Sequence, residues 1–451
     1  MGEAGMDFDP GIRGDTLVVG LGKTGFSCAR FLQRCGLAVS VVDNREQPPL
    51  LPRLRREMPQ VSVVTGGFPM DVLGACEQLI VSPGVDLRDP FLVAARERGI
   101  PLMGDVELFA RCANAPVVAI TGSNGKSTVT VLLGAMAEAA GRRTYVGGNI
   151  GTPVLDLLSD DAELYVLELS SYQLETTRSL HAAAAVILNI SPDHLDRYRG
   201  LDEYVAAKAR IFLDCDVAVW NRDEPVLAGL IPRSGGIRSF GHNAPGADDY
   251  GVRVRDGRRW LAKGNDCLLP VDALPMMGEH NVLNALSALA LGDAIGLPGA
   301  SMISVLQTFS GLPHRMQWVA EKGGVDWYND SKATNVGATQ AALAGVARPV
   351  VLIAGGVGKG ADFTPLRTML TERVRAVVLM GRDAPLLQQV WDGAAPLHHV
   401  DTMEAAVQCA AGLAQPGDMV LLSPACASLD MFRDFEERGE AFMVAVRGLP
   451  I

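Results

Sequence analysis

The stretch Thr121-Gly122-Ser123-Asn124-Gly125-Lys126-Ser127-Thr128 decides the fold. Ala115-Pro116-Val117-Val118-Ala119-Ile120 precedes it and is short, apolar and rich in β-branched residues. Val129 to Ala140 follows with helix-like apolar spacing and stops at Gly141. Strand, glycine loop and helix, in that order, make a phosphate cradle. The glycines let backbone N–H groups turn toward an anion, and the helix N-terminus adds partial positive charge. Lys126 offers a point charge to the outer phosphates, and Ser127 or Thr128 offers a hydroxyl to Mg²⁺. The general P-loop pattern wants a glycine where Ile120 stands. The loop is therefore a shorter variant, which points to a subset of nucleotide-binding enzymes.

Outward from the loop, 451 residues are enough for roughly three domains. Hydrophobic residues make up 48% of the chain and mean hydropathy is +0.18, ample for substantial cores. Glycine and proline are spread through the chain with no low-complexity tract. The net charge of −11 argues against a nucleic-acid or anionic-membrane surface. The eight cysteines form no CxxC pair and no metal-ligand spacing, as expected of free thiols in a reducing compartment. Met1 to Asp7 is acidic and lacks an apolar signal-peptide core, and no run reaches the length of a membrane span. These features read as a soluble, cytoplasmic protein.

Before the loop lies a second glycine motif. Asp15 to Val19 reads as a strand, followed by Gly20-Leu21-Gly22-Lys23-Thr24-Gly25 and a helix to Arg34. Leu37 to Val42 is a second strand, ended by Asp43-Asn44-Arg45. This is the dinucleotide fingerprint, which alone would say NAD; a backbone cradle at a helix N-terminus also serves any diphosphate. Gln78 to Val81 leads into another strand-end turn, Ser82-Pro83-Gly84. We place the boundary of the first unit near Gly104.

After the loop, Tyr165 to Ser171 is a buried-type strand carrying one acid, Glu168. An acid there is costly unless it is paired or meets a cation, and Mg²⁺ beside the P-loop is the natural partner. Asn149 centres the glycine-rich turn Gly147 to Gly151. His194 follows the strand Val186 to Ile190, where structural and functional roles both stay open. Lys208, on a helix from Asp202 to Leu213, reads as a solvated lysine. A β-rich stretch follows over Asp216–Asn221, Gly251–Arg255 and Arg258–Ala262. Asn281 and Asn284 share a helix face; they either bracket a purine edge or, more simply, cap the helix.

Leu312-Pro313-His314-Arg315 reads as a linker, beyond which α/β alternation restarts. Asn329 to Asn335 is densely polar between a strand and a helix. Gly355-Gly356-Val357-Gly358-Lys359-Gly360 looks like a second P-loop, but Gly360 replaces the hydroxyl residue, so Lys359 reads as an anion anchor. Ser423 to Ser428 again ends a strand at a ligand-facing position.

Together, Thr121–Thr128, Glu168-Leu169-Ser170-Ser171, Asp193-His194-Leu195-Asp196, Gly278-Glu279-His280-Asn281, His314-Arg315 and Asn329-Asp330-Ser331-Lys332 resemble the Mur ligases. These are the ATP-dependent amino-acid ligases of peptidoglycan precursor synthesis. The first unit, Asn329–Gly337, Gly355–Phe363 and Ser423–Asp430 look most like the members that join D-glutamate to UDP-N-acetylmuramoyl-L-alanine. The resemblance implies three α/β domains: a Rossmann-like UDP-sugar domain over 1–104, a central P-loop ATPase-like domain over 105–311 and a Rossmann-like, doubly wound amino-acid domain over 312–451. It implies that Lys23, Thr24, Asp43, Asn44, Arg45 and Gly84 hold the UDP-sugar, with Asn149 and His194 nearer its reacting end. Lys23 and Asn44 stand where relatives carry an apolar residue and a threonine. Gly122 to Thr128, Asn281, Asn284, Arg315 and Asp330 would bind ATP. Ser127, Thr128 and Glu168 would hold one Mg²⁺, and His194 with a carbamylated Lys208 a second. Lys126, Glu168, His194, Lys208 and Lys332 would be catalytic. Thr334, Lys359, Ser428 and Phe435 would take D-glutamate. The implied protein is a monomer that binds no nucleic acid and enters no membrane. The alternatives are a sibling ligase for another amino acid, a folylpolyglutamate-type ligase, an NAD-dependent oxidoreductase built on Gly20–Gly25 and, more remotely, a non-enzymatic P-loop regulator.

Overall fold

A computed structural model describes residues 9–194, 197–232, 235–276 and 278–449. Met1 to Asp7, read above for a signal peptide, and Leu195-Asp196 of the histidine motif lie outside the described residues.

The first unit is a parallel sheet of β1 (Thr16–Val19), β2 (Val39–Asp43), β3 (Ser62–Thr65), β4 (Gln78–Val81) and β5 (Leu102–Met103), in the order β3-β2-β1-β4-β5. β1 and β4 are buried throughout, as continuous apolar runs in a parallel sheet require. Strand order reverses around β1, where an open sheet leaves a crevice for a ligand. The helix Lys23–Arg34 leaves β1 through the glycine motif. A Cβ on Gly25 would lie 1.8 Å from the Gly20 carbonyl oxygen, so only glycine lets the helix sit this close to the strand.

The central sheet holds β6 (Val117–Thr121), β7 (Thr144–Gly148), β8 (Leu164–Glu168), β9 (Ala184–Ile187), β10 (Val217–Asn221) and β11 (Gly236–Phe240), in the order β11-β10-β9-β6-β8-β7. All its pairings are parallel. The β-rich stretch read over 216–221, 251–255 and 258–262 is made of strands, and these divide between two sheets. β10 pairs with β9 in the central sheet, and only β12 (Tyr250–Arg255), β13 (Arg258–Lys263) and β14 (Asp266–Pro270) form the separate antiparallel sheet. Asp256 (φ 54°) and Gly257 (φ 75°) make the two-residue turn that fits a hairpin's twist.

The third sheet has β15 (Gln317–Lys322), β16 (Val325–Asn329), β17 (Val350–Gly355), β18 (Val374–Met380), β19 (Leu397–His399) and β20 (Met419–Leu422), in the order β15-β16-β20-β17-β18-β19. It is parallel except for the β15–β16 hairpin at its edge.

The units share packing. One apolar cluster runs from Val18 and Phe26 through Val106 and Phe109 to Leu155 and Leu167, with the helix Asp105–Cys112 between the first two sheets. Arg197 reaches back to donate to the Pro83 carbonyl at 2.9 Å. The third unit meets the P-loop side of the centre, where Asn335 Nδ2 donates to Asn124 Oδ1 at 3.3 Å and to Asp193 Oδ2 at 3.2 Å.

Candidate active site

The loop after β6 turns through Gly122 (φ 152°) and Gly125 (φ 83°) into the helix Lys126–Ala139. No side chain caps this helix, so its first N–H groups stay available to an anion. Lys126 Nζ donates to the carbonyls of Gly122 and Ser123, each at 2.9 Å. Asn189, which the sequence did not single out, pins the loop. Its Oδ1 accepts from Asn124 N at 2.8 Å and its Nδ2 donates to Asn124 O at 3.0 Å. Ser123 is committed to the protein, its Oγ accepting from Ser191 N at 2.9 Å and lying 3.1 Å from the Tyr204 hydroxyl.

Asn281 and Asn284 do not cap their helix, Glu279–Ala294, which begins at Gly278 without a side-chain cap. Asn284 Nδ2 donates to Asn281 Oδ1 at 2.9 Å, and a Cβ on Gly125 would lie 2.4 Å from Asn284 Oδ1. The capping reading gives way to one in which Asn284 stands at the bend of the phosphate loop with Asn281 bonded beside it. The loop's left-handed glycine makes room for Asn284.

Glu168 ends β8, buried. Its Oε1 accepts from Asn149 Nδ2 at 2.7 Å, while among the described residues its buried Oε2 has no hydrogen-bond partner. Burial alone would raise this carboxyl. The charge of Lys126 and the Asn149 bond outweigh it and hold the acid below its usual range. An unpaired, ionised, buried oxygen next to the phosphate loop fits a divalent cation, with Ser127 and Thr128 buried beside it. Asn149, expected at the UDP-sugar's reacting end, is engaged here with Glu168.

Lys208 is not a solvated helix lysine. It is 2% exposed, on the helix Leu201–Ala209. Its Nζ donates to the Gly122 carbonyl at 2.9 Å and lies 4.6 Å from the Tyr204 ring centre. Burial, and then the charge of Lys126, pushes the amine well below its usual range. His194 (φ 57°) has Nε2 3.6 Å from Asp193 Oδ2 and packs edge-on to Tyr172. Among the described residues no three His, Cys, Asp or Glu side chains converge in a metal-binding group. A second cation at His194 and Lys208 would therefore need an anionic group that the free lysine lacks.

A cleft of ≈ 690 Å³ opens between the central and third units, lined by Asn124, Gly125 and Thr128 on one side and Arg315 and Asp330 on the other. Among the described residues, buried Arg315 Nε has no hydrogen-bond partner. Asp330 accepts from Ser423 Oγ at 2.9 Å, and burial pushes its carboxyl up to about 7. His280 also lines the cleft, its Nδ1 buried and unpaired, and burial drives its ring down to about 4.

Lys332 Nζ sits 4.6 Å from the Phe435 ring centre, its amine lowered to about 8 by burial and then by Arg315. Lys359 (φ 51°) follows β17 with no α-helix directly after its loop, and its Nζ lies 3.7 Å from Asp193 Oδ1. Ser428 is buried, Phe435 starts the helix Phe435–Arg447, and Thr334 N donates to Lys332 O at 2.9 Å. Arg438 ties these pieces together. It donates to Ser331 O at 2.7 Å, Ser331 Oγ at 3.0 Å and Cys426 O at 3.0 Å. A buried arginine on a C-terminal helix carries no such signal in sequence.

In the first unit, Asp43 is buried and wholly engaged. Oδ2 accepts from Leu21 N and Arg45 Nη2, each at 2.6 Å, and Oδ1 from Arg45 N and Nε, each at 2.8 Å. The fingerprint acid thus braces its own glycine loop and Arg45. Lys23, Asn44, Arg45 and Gly84 are exposed around it, and Thr24 is half-buried.

Three family models match in series: a Mur ligase MurD-like N-terminal domain over 14–104, a Mur ligase middle domain over 120–292 and a Mur ligase glutamate ligase domain over 314–426. The chain belongs to the Mur ligase family. Among its relatives, the UDP-N-acetylmuramoylalanine--D-glutamate ligase of Nitrosococcus oceani is 54% identical over 441 residues, 97% of each chain. That of Pseudomonas aeruginosa is 54% identical over 437 residues, 96% of this chain and 98% of its own. In fold, the chain resembles the UDP-N-acetylmuramate-alanine ligase of Thermotoga maritima (TM-score 0.62, 19% identity, 96% of this chain and 99% of that one). It likewise resembles Acinetobacter baumannii MurF (TM-score 0.59, 20% identity, 97% and 92%). As a Mur ligase the chain is an ATP-dependent enzyme, which sets aside the oxidoreductase reading of Gly20–Gly25.

Proposed function

We propose that this Mur ligase joins D-glutamate to UDP-N-acetylmuramoyl-L-alanine with cleavage of ATP to ADP and phosphate, a step of peptidoglycan precursor synthesis. The observation that carries the reading is the near-full-length identity to ligases named for that reaction. The alanyl carboxylate attacks the γ-phosphorus in line, giving an acyl phosphate and ADP. The amine of D-glutamate then attacks the acyl carbon, and phosphate leaves. The first step drives one anion against another, so positive charge at the loop is the physical requirement. Lys126, at the helix N-terminus, meets the outer phosphates, and Arg315, with its buried unpaired Nε, is available to them from the third unit. Asn281 and Asn284 stand where the nucleotide crosses the loop, and Asp330 is available to its ribose.

Glu168, Ser127 and Thr128 would hold Mg²⁺ against the nucleotide, and His194 with a carbamylated Lys208 a second ion. Bound there, Mg²⁺ supplies charge neutralisation between carboxylate and phosphate. A neutral buried amine is the form that reacts with CO₂, which supports the carbamate. Lys23, Thr24, Asp43, Asn44, Arg45 and Gly84 form the uridine-diphosphate side, with Asp43 acting by holding the loop and Arg45 in place. Thr334, Lys359, Ser428 and Phe435 hold D-glutamate, Lys359 facing a carboxylate and Lys332 near the reacting groups. The three domains divide near 104 and 311, and the enzyme works as a cytoplasmic monomer. No described helix is long and apolar enough to cross a membrane.

Phosphate release from ATP, assayed with UDP-N-acetylmuramoyl-L-alanine and each candidate amino acid, tests the reading. D-glutamate alone should support turnover. Turnover only with another amino acid would remove the D-glutamate assignment.

A further inference from the structure

We propose that Trp318 is the base-reading residue of the nucleotide cleft, its indole face forming a wall for a purine. The inference rests on the reading of that cleft as the ATP site. Among the described residues, three Phe, Tyr or Trp side chains line the cleft, beside the His280 imidazole: Phe240, Tyr328 and Trp318. Phe240 is 1% and Tyr328 7% exposed, so their rings are already spent on the cores they pack in. Trp318 is 55% exposed, a large aromatic surface left open on β15 from the third unit's side. Such a surface offers a flat ligand a stacking face without displacing any packed ring.

Its position is fixed rather than loose. The indole Nε1 donates to Asp326 Oδ1 at 2.9 Å, and Asp326 is held in turn by Arg348 Nη2 at 2.7 Å. Trp318 stands opposite Tyr328 in the β15–β16 register, at the edge of the third sheet. The polar edge of the indole is therefore satisfied within the protein and its face is what remains for a ligand. A stacked base is recognised by π-surface, and a purine offers more of it than a pyrimidine. The Asn281 and Asn284 amides at the loop cannot supply that discrimination by area.

The test compares wild type with Trp318→Ala and Trp318→Phe. Trp318→Ala should raise the KM for ATP about tenfold, with kcat and the KM for the amino acid far less changed, and should narrow the preference for ATP over UTP. Trp318→Phe, which keeps a ring, should stay within about threefold of wild type. ADP added to the intact enzyme should change tryptophan emission, and that change should disappear in Trp318→Phe, whatever the fate of the alanine variant. An unchanged ATP KM in Trp318→Ala, or the same ADP-induced emission change in wild type and Trp318→Phe, would overturn the proposal while leaving the ATP reading intact. A wild-type enzyme that neither binds ADP nor uses ATP would overturn both.

Discussion

Buried against the Gly122 carbonyl and the Tyr204 ring, the amine of Lys208 cannot carry charge cheaply, since burial and the nearby Lys126 charge outweigh the pull of Asp193 and Glu168. A group so placed is built to be neutral or to be modified. Lys208→Ala should therefore lose activity on the order of 100-fold and regain part of it when a short carboxylate such as acetate is added. Unchanged turnover would remove Lys208 from the site. Nothing in local spacing distinguishes this lysine from a surface one, because what buries it is the loop Thr121–Thr128, far away in sequence. Glu168 was legible, by contrast, because an acid inside an apolar strand is expensive wherever that strand goes. Arg438 and Asn189 were not, because each acts on backbone groups that only the folded chain brings near.

At the scale of elements, the helix Asp105–Cys112 joins the first two units, and Asp105 in its first turn is buried with Oδ2 accepting from Gln173 at 2.9 Å. Burial pushes this carboxyl up to about 6, above its unfolded value. The fold therefore favours the protonated form. That contribution is full below the unfolded pKa and is lost as pH rises through about 6. In denaturant unfolding, Asp105→Asn should gain on wild type by about 2 kcal/mol between roughly pH 4 and pH 7. A difference that does not move with pH would contradict the assignment. Glycine motifs were the readable elements, because their physical reasons are local. Gly25 admits the helix against Gly20, and Gly125 turns the loop in a left-handed conformation. Partly exposed edge strands such as β15 and the three-residue β19 were not readable, since neither shows a clean alternation.

At the scale of the whole molecule, the third unit packs on the phosphate-loop side of the central one. Asn335 bridges Asn124 and Asp193, and Lys359 pairs with Asp193, so the third unit is tied to the phosphate loop through a few polar contacts. Lys359→Ala should raise the KM for D-glutamate roughly tenfold or more, with a much smaller change for ATP; equal effects on both would place Lys359 outside the amino-acid site. The three-unit plan was legible because α/β alternation restarts twice. The cleft between units was not, since it exists only where the third unit packs against the central one. In the proposed function the substrate's own carboxylate is activated by phosphoryl transfer. The most direct test supplies UDP-N-acetylmuramoyl-L-alanine labelled with ¹⁸O in that carboxylate and follows the label during turnover with ATP and D-glutamate. An acyl-phosphate route predicts one labelled oxygen in the released phosphate. Unlabelled phosphate formed alongside amide product would contradict it.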